Sequence, residues 1–145
     1  MTIATVTTDI HIGPYVIPSN AQNMMMNNYC SRYGLEVSLV IPEPIKSRNL
    51  ATMIWLGKDF VFTDIVLSSI YQLSEKSVSS ISQNFESVTF HFVIEGISGS
   101  GGHFLKSCLV EKEIFEGSQV IDSEEISWSE AFDMKNKIME GVGRE

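Results

Sequence analysis

The stretch Phe60-Val61-Phe62-Thr63-Asp64-Ile65-Val66-Leu67 is apolar at every position except Thr63 and Asp64. Val and Ile branch at Cβ and favour extended backbone. A strand with water on one face would alternate polar and apolar residues. This one does not, so it reads as a strand buried on both faces, as parallel sheets flanked by helices require.

The same logic extends outward. Upstream, apolar residues at Ala21, Met24, Met25, Tyr29 and Tyr33 fall near helical spacing. Pro18-Ser19-Asn20 supplies a stop and a cap for that helix, and Gly34 ends it. Leu35 to Ile41 reads as a strand closed by Pro42-Glu43-Pro44, and Ile45 to Leu56 as a second helix stopped by Gly57. Downstream, Ser74 caps a third helix running to about Phe85, and Ser87 to Glu95 forms the next strand. The first strand is placed at Ile10 to Ile17, where Pro14 shortens or bends it. Residues 1–8 hold four threonines and little charge, and read as a flexible arm.

Strand and helix therefore alternate, which implies parallel pairing. The expected fold is a three-layer α/β domain over residues 9–145, with a mainly parallel sheet of about four strands and helices on both faces. Gly96 and Gly99-Ser100-Gly101-Gly102 follow, read as a flexible loop or a backbone nest for an anion. A last helix is expected from Ser127 to Glu140, with Trp128, Ala131, Phe132 and Ile138 inward.

At 145 residues the chain can bury a core without disulfides or metal. Its net charge of -8 repels a polyanion, and the ten Lys and Arg form no patch. Nucleic acid is therefore not an expected partner. The acidic excess falls late, from Glu111 to Glu130, as a solvated face or a docking surface. Cys30 and Cys108 fit no metal or redox spacing, which suits buried free thiols in a reducing compartment. The start of the chain lacks a signal-peptide pattern, and no apolar run is long enough for a membrane span. The expectation is a cytoplasmic protein with no membrane contact, no metal and no cofactor.

Parallel sheets bind ligands beyond the carboxyl ends of their strands. That rule selects Ser19, Gln22 and Asn23 after the first strand. It also selects Ser68 and Tyr71 after the buried strand, all as candidate ligand-binding residues. Ser19 and Asn20 serve equally as helix caps. His91 and Glu95 share a face of the fourth strand and could do acid–base work. They lie roughly 7 Å apart by strand rise, and a hydrogen-bonded structural histidine is the plainer reading. The sequence contains no G-x-S-x-G elbow, P-loop, dinucleotide fingerprint or HExxH pair.

Two stretches carry a resemblance. One is Ile17-Pro18-Ser19-Asn20-Ala21-Gln22-Asn23 with Asn28-Tyr29-Cys30. The other runs from Asp64-Ile65-Val66-Leu67-Ser68-Ser69 through Tyr71-Gln72-Leu73-Ser74 to Phe90-His91-Phe92-Val93-Ile94-Glu95. Together they resemble the sporadic carbohydrate cluster proteins, a small bacterial family, over about residues 9 to 130. Ser74 stands where that family tends to have Pro, and Phe90 where it has Leu. The resemblance implies a role among genes for surface-polysaccharide building blocks. It carries no catalytic residue across.

A more distant likeness is to the catalytic domain of serine recombinases, a flavodoxin/resolvase-like fold that also opens with a strand, a Ser, a Gln and a helix. Their chemistry needs a nucleophilic Ser among several Arg. Ser19 has no such escort, and Ser68 to Leu73 contains no Arg. Two functions follow from these readings. One is a small enzyme or binder for a sugar or nucleotide-sugar. The other is a non-catalytic module, homo-oligomeric or docked on a larger glycan enzyme through its acidic region at Glu124 and Glu125 and its last helix.

Overall fold

The computed structural model describes residues 2–43, 50–125 and 136. Residues 62–67 of the apolar stretch do form the middle of the sheet, while Phe60 and Val61 precede the strand and are exposed. Strand β1 (Thr2–Thr7) is followed by a short hairpin of β2 (His11–Ile12) and β3 (Tyr15–Val16). Then come helix α1 (Ser19–Arg32), β4 (Leu39–Pro42), α2 (Ala51–Leu56) and β5 (Phe62–Leu67). A single 3-10 turn (Ile70–Gln72) leads into α3 (Glu75–Asn84), β6 (Thr89–Phe92), β7 (Ile97–Ser100) and the long α4 (Gly101–Glu125).

The sheet runs β4-β1-β5-β6-β7, with β1, β4, β5 and β6 parallel and β7 antiparallel to β6. One face packs on α2, α3 and α4 through Ala4, Val6, Ile65, Leu67, Phe90 and Phe92. Helix α1 covers the other face, with Met26 and Cys30 against Val66. This is the three-layer, mainly parallel architecture expected from the alternation, with five strands rather than four.

Three expectations are corrected. Residues 1–8 are not an arm: Thr2–Thr7 pairs with β4 on one side and β5 on the other. Ala4 and Val6 are completely buried, and Thr5 and Thr7 nearly so. Threonine is β-branched, so it suits a strand that its polarity disguises. The stretch Ile10–Ile17 forms the β2–β3 hairpin outside the main sheet, where Pro14 costs no ladder bond. The glycine run is not a loop: Gly99 and Ser100 end β7, and Gly101, with φ +85°, turns the chain into α4. Gly102 lies so near Ser82 of α3 that a Cβ would sit 2.8 Å from its hydroxyl.

The helix boundaries follow their caps. The Ser74 hydroxyl accepts from the Ser77 amide at the start of α3. Glu43 caps α2, its two carboxylate oxygens accepting from the Thr52 and Met53 amides. Helix α1 departs from expectation: Pro18 occupies its cap position, no side chain caps it, and Ser19 is its first residue. The helix placed at Ile45–Leu56 is described only from Ala51, and the helix placed at Ser127–Glu140 lies, apart from Asn136, outside the described residues. Contacts divide the chain within α4, into residues 1–112 and 113–145. The site below lies wholly in the first unit.

Candidate functional site

Strand order reverses between β1 and β5, because the chain leaves β1 for β4 on one side and returns to β5 on the other. Carboxyl ends at such a reversal are where open parallel sheets take ligands. Two chain segments meet there, the hairpin after β1 and the turn after β5. Tyr71 of the turn packs on Gly13 of the hairpin, which has φ +56° and no room for a Cβ. The Tyr15 and Tyr71 rings meet edge to face, 5.9 Å between centroids.

Gln22 holds the base of the hairpin. Its Oε1 accepts from the Thr8 amide at 3.0 Å. Its Nε2 donates to the carbonyls of Thr8, Asp9 and Ile17 at 3.2, 3.1 and 2.9 Å. The side chain is wholly buried and its amide is fully used by the protein's own backbone. It therefore shapes the rim as a clamp and has nothing left to offer a ligand directly. Ser19 is exposed and Asn23 half-buried on α1.

The turn after β5 is more densely tied. Ser68 and Ser69 amides donate to Gln72 Oε1 at 2.8 and 3.2 Å. The Ser69 hydroxyl accepts from the Tyr71 amide at 3.2 Å, completing a reciprocal cap. Glu95 reaches in from the turn after β6, its Oε1 accepting from the Ser69 hydroxyl at 2.7 Å and the Ile70 amide at 2.5 Å. Val93 and Ile94 amides donate to the Leu67 and Ser68 carbonyls and fix the two turns together.

Three buried side-chain atoms among the described residues have no hydrogen-bond partner: Ser68 Oγ, Gln72 Nε2 and Glu95 Oε2. All three belong to this one knot. Leaving such a group unpaired costs about 1–3 kcal/mol. Reversing the Gln72 amide does not relieve it, because its nitrogen would then face two backbone N–H donors.

His91 and Glu95, paired in the sequence reading, are committed to different partners. His91 lies on the α1 face. Its Nε2 is hydrogen-bonded to Asp64 Oδ1 at 2.8 Å, and its Nδ1 to the Tyr29 hydroxyl at 2.8 Å. Burial, then the neighbouring Tyr33, push the Tyr29 phenol up in pKa, which keeps it protonated. The arrangement is a part-buried Tyr–His–Asp chain joining α1, β6 and β5. Asp64 and Tyr29 were absent from the candidate residues. An aspartate interrupting a two-faced buried strand was the available signal, since a buried carboxylate demands a partner. Gln72 was absent as well, though Ser69 and Gln72 have capping-box spacing.

Cys30 and Cys108 are free, buried thiols. Burial, then Glu111 and Glu95, push Cys108 up to about 11, so it is no nucleophile at neutral pH. No group of three His, Cys, Asp or Glu among the described residues could hold a metal ion. No helix among them is long and apolar enough to cross a membrane. A recess of about 460 Å³ lined by Ile3, Glu36, Val37, Ser38 and Thr63 opens at the opposite, amino end of the strands. It carries none of the knot's polar groups.

No family model and no curated protein matches the chain. Among solved structures it is similar to the N-terminal catalytic domain of TP901-1 integrase, at a TM-score of 0.59 and 15% identity, over 82% of this chain and 99% of that one. At that identity the likeness is one of fold. Of the two likenesses read from the sequence, the carbohydrate-cluster one therefore finds no support in these comparisons, and the recombinase-like architecture is the one the structure bears out.

Proposed function

We propose that this chain is a small binding domain in bacterial surface-carbohydrate metabolism, taking a sugar or sugar derivative at the carboxyl ends of β1, β5 and β6. The observation that carries the reading is the meeting, at the strand-order reversal, of half-buried Tyr15 and Tyr71 with the Ser68–Gln72 turn and Glu95. Ligand sites combine apolar and aromatic walls with a few convergent polar groups in this way. The family resemblance of the sequence sets the ligand class. Within this reading Tyr71 lines the site, Ser68 and Glu95 contact the ligand, and Gln22 holds the rim. His91 braces the sheet from the α1 side.

The integrase likeness raises DNA as a partner. The segments after β1, β5 and β6, namely residues 8–18, 68–74 and 93–96, contain no Lys or Arg, Lys112 of α4 is engaged with the Leu73 carbonyl, and the chain carries a net charge of -8. Phosphate recognition depends on such cations. The shared architecture is therefore not read as a shared activity.

The test is thermal melting against millimolar free sugars, sugar acids, sugar phosphates and nucleotide sugars. A ligand at a hundred times its dissociation constant adds about 2.7 kcal/mol, a shift of several degrees. A selective shift, lost in Tyr71→Ala but retained in a variant at the distant recess such as Glu36→Ala, is the expected result. Silence across the whole panel would sink the reading.

A further inference from the structure

We infer that the knot after β5 is a site for an uncharged hydroxyl group, with Ser68 Oγ, Gln72 Nε2 and Glu95 Oε2 as its three contacts. This rests on the sugar reading above and narrows it to a neutral, hydroxyl-bearing part of the ligand.

The three side chains all belong to or bond the dipeptide Ser68-Ser69. Gln72 Oε1 is bound to the Ser68 and Ser69 amides, and Glu95 Oε1 to the Ser69 hydroxyl. The second atom of each side chain is held near its bonded mate and has no partner of its own. Ser68 is completely buried and Gln72 is 7% exposed. Glu95 is half-buried, although its Oε2 is not exposed.

The chemical character of the trio is specific. Glu95 Oε2 only accepts, Gln72 Nε2 only donates, and the Ser68 hydroxyl can donate. A hydroxyl group has one hydrogen and two lone pairs. It can donate to Glu95 and accept from Gln72 and Ser68, leaving nothing unpaired. A carboxylate has no hydrogen for Glu95, and both a carboxylate and a phosphate are repelled by its charge. An ammonium cannot accept from Gln72. Residues 68–74 and 93–96 hold no Lys or Arg, and the one cation that reaches the turn, Lys112 of α4, donates to the Leu73 carbonyl.

Two variants probe the site without untying it. Ser68→Ala removes an atom that bonds to nothing in the fold. Glu95→Gln keeps an oxygen for Ser69 and Ile70 and exchanges the free acceptor for a donor. Circular dichroism and melting first establish that both fold. Calorimetric titration of the full chain then uses glucose, galactose, glycerol and inorganic phosphate as probes.

The expected result is saturable binding of a hexose, weakened about threefold to tenfold by Ser68→Ala and at least about tenfold by Glu95→Gln, with no binding of phosphate. Hexose binding indifferent to both variants overturns the hydroxyl site and leaves the sugar reading standing. Glycerol binding that both variants abolish, without hexose binding, keeps the hydroxyl site and overturns the sugar reading. Binding of phosphate in place of the neutral probes overturns the inference, and binding of none of the probes overturns both.

Discussion

The two faces of the sheet are built from the same strands and are held by different forces. Towards α2, α3 and α4, the strands present Ala4, Val6, Ile65, Leu67, Phe90 and Phe92, all completely buried and all apolar. Towards α1, the alternate positions present Thr5, Thr7, Asp64, Val66 and His91. The first face is non-directional: any well-packed apolar set of the right volume would serve. The second is directional, because Tyr29, His91 and Asp64 must meet at hydrogen-bond distance for α1 to lie down. Apolar burial thus supplies most of the stability, while the polar chain fixes where α1 sits. Through Gln22 near its start, that placement also fixes the rim of the candidate site.

The comparison can be broken by substitutions graded in effect. Phe90→Ala on the apolar face should cost about 3–5 kcal/mol in urea denaturation, as cavities at large buried residues do. A loss below about 1 kcal/mol would mean that this face is not the main store of stability.

Cys108 offers a pH probe of the same face. Its folded-state pKa is raised from 9.0 to about 11, so the folded chain holds a proton that the unfolded chain releases. This contribution is fully present below pH 9 and is lost as pH rises towards 11. Stability should fall by about 2–3 kcal/mol across that window. Cys108→Val should remove this part of the alkaline slope, and an unchanged slope would assign it to other groups.

On the α1 face, Tyr29→Phe deletes one hydroxyl and leaves His91 Nδ1 without its partner, at a cost of about 1 kcal/mol. A double-mutant cycle with Asp64→Asn should show coupling of at least about 0.5 kcal/mol, since both residues share the His91 ring. Strict additivity would break the claim that the three act as one chain. The smallest effect belongs to Ser68→Ala, expected within about 0.5 kcal/mol of the parent in the absence of ligand. Its hydroxyl contributes no bond to the fold.

Parts of this were legible in the sequence. The run of apolar residues at β5, the Ser74 cap and the glycine at position 34 each act locally, and each marked its element within a few residues. At the candidate site, the strand-end rule selects Ser68, Tyr71 and Glu95, and all three lie at the turn after β5. The rule could not tell what each side chain would bond. Gln22 looked like a ligand residue because it stands at the start of α1, yet its four bonds run to backbone five to fourteen residues away. His91 and Glu95 looked like a pair because they alternate correctly on one strand. The strand ends at Phe92, and the turn after it sends Glu95 to a different partner.

By itself the sequence determined a mainly parallel α/β domain with a central strand buried on both faces. Those features follow from residue type and spacing along a few consecutive positions. Only the tertiary structure decided that the threonine-rich start is an inner strand, because a threonine's burial depends on neighbours contributed by residues 39–42 and 62–67. Only it joined Tyr29 to His91 and His91 to Asp64, across 62 and 27 residues of chain. Hydrogen-bond partners over such separations are set by which strands lie side by side, and that order is a property of the whole fold.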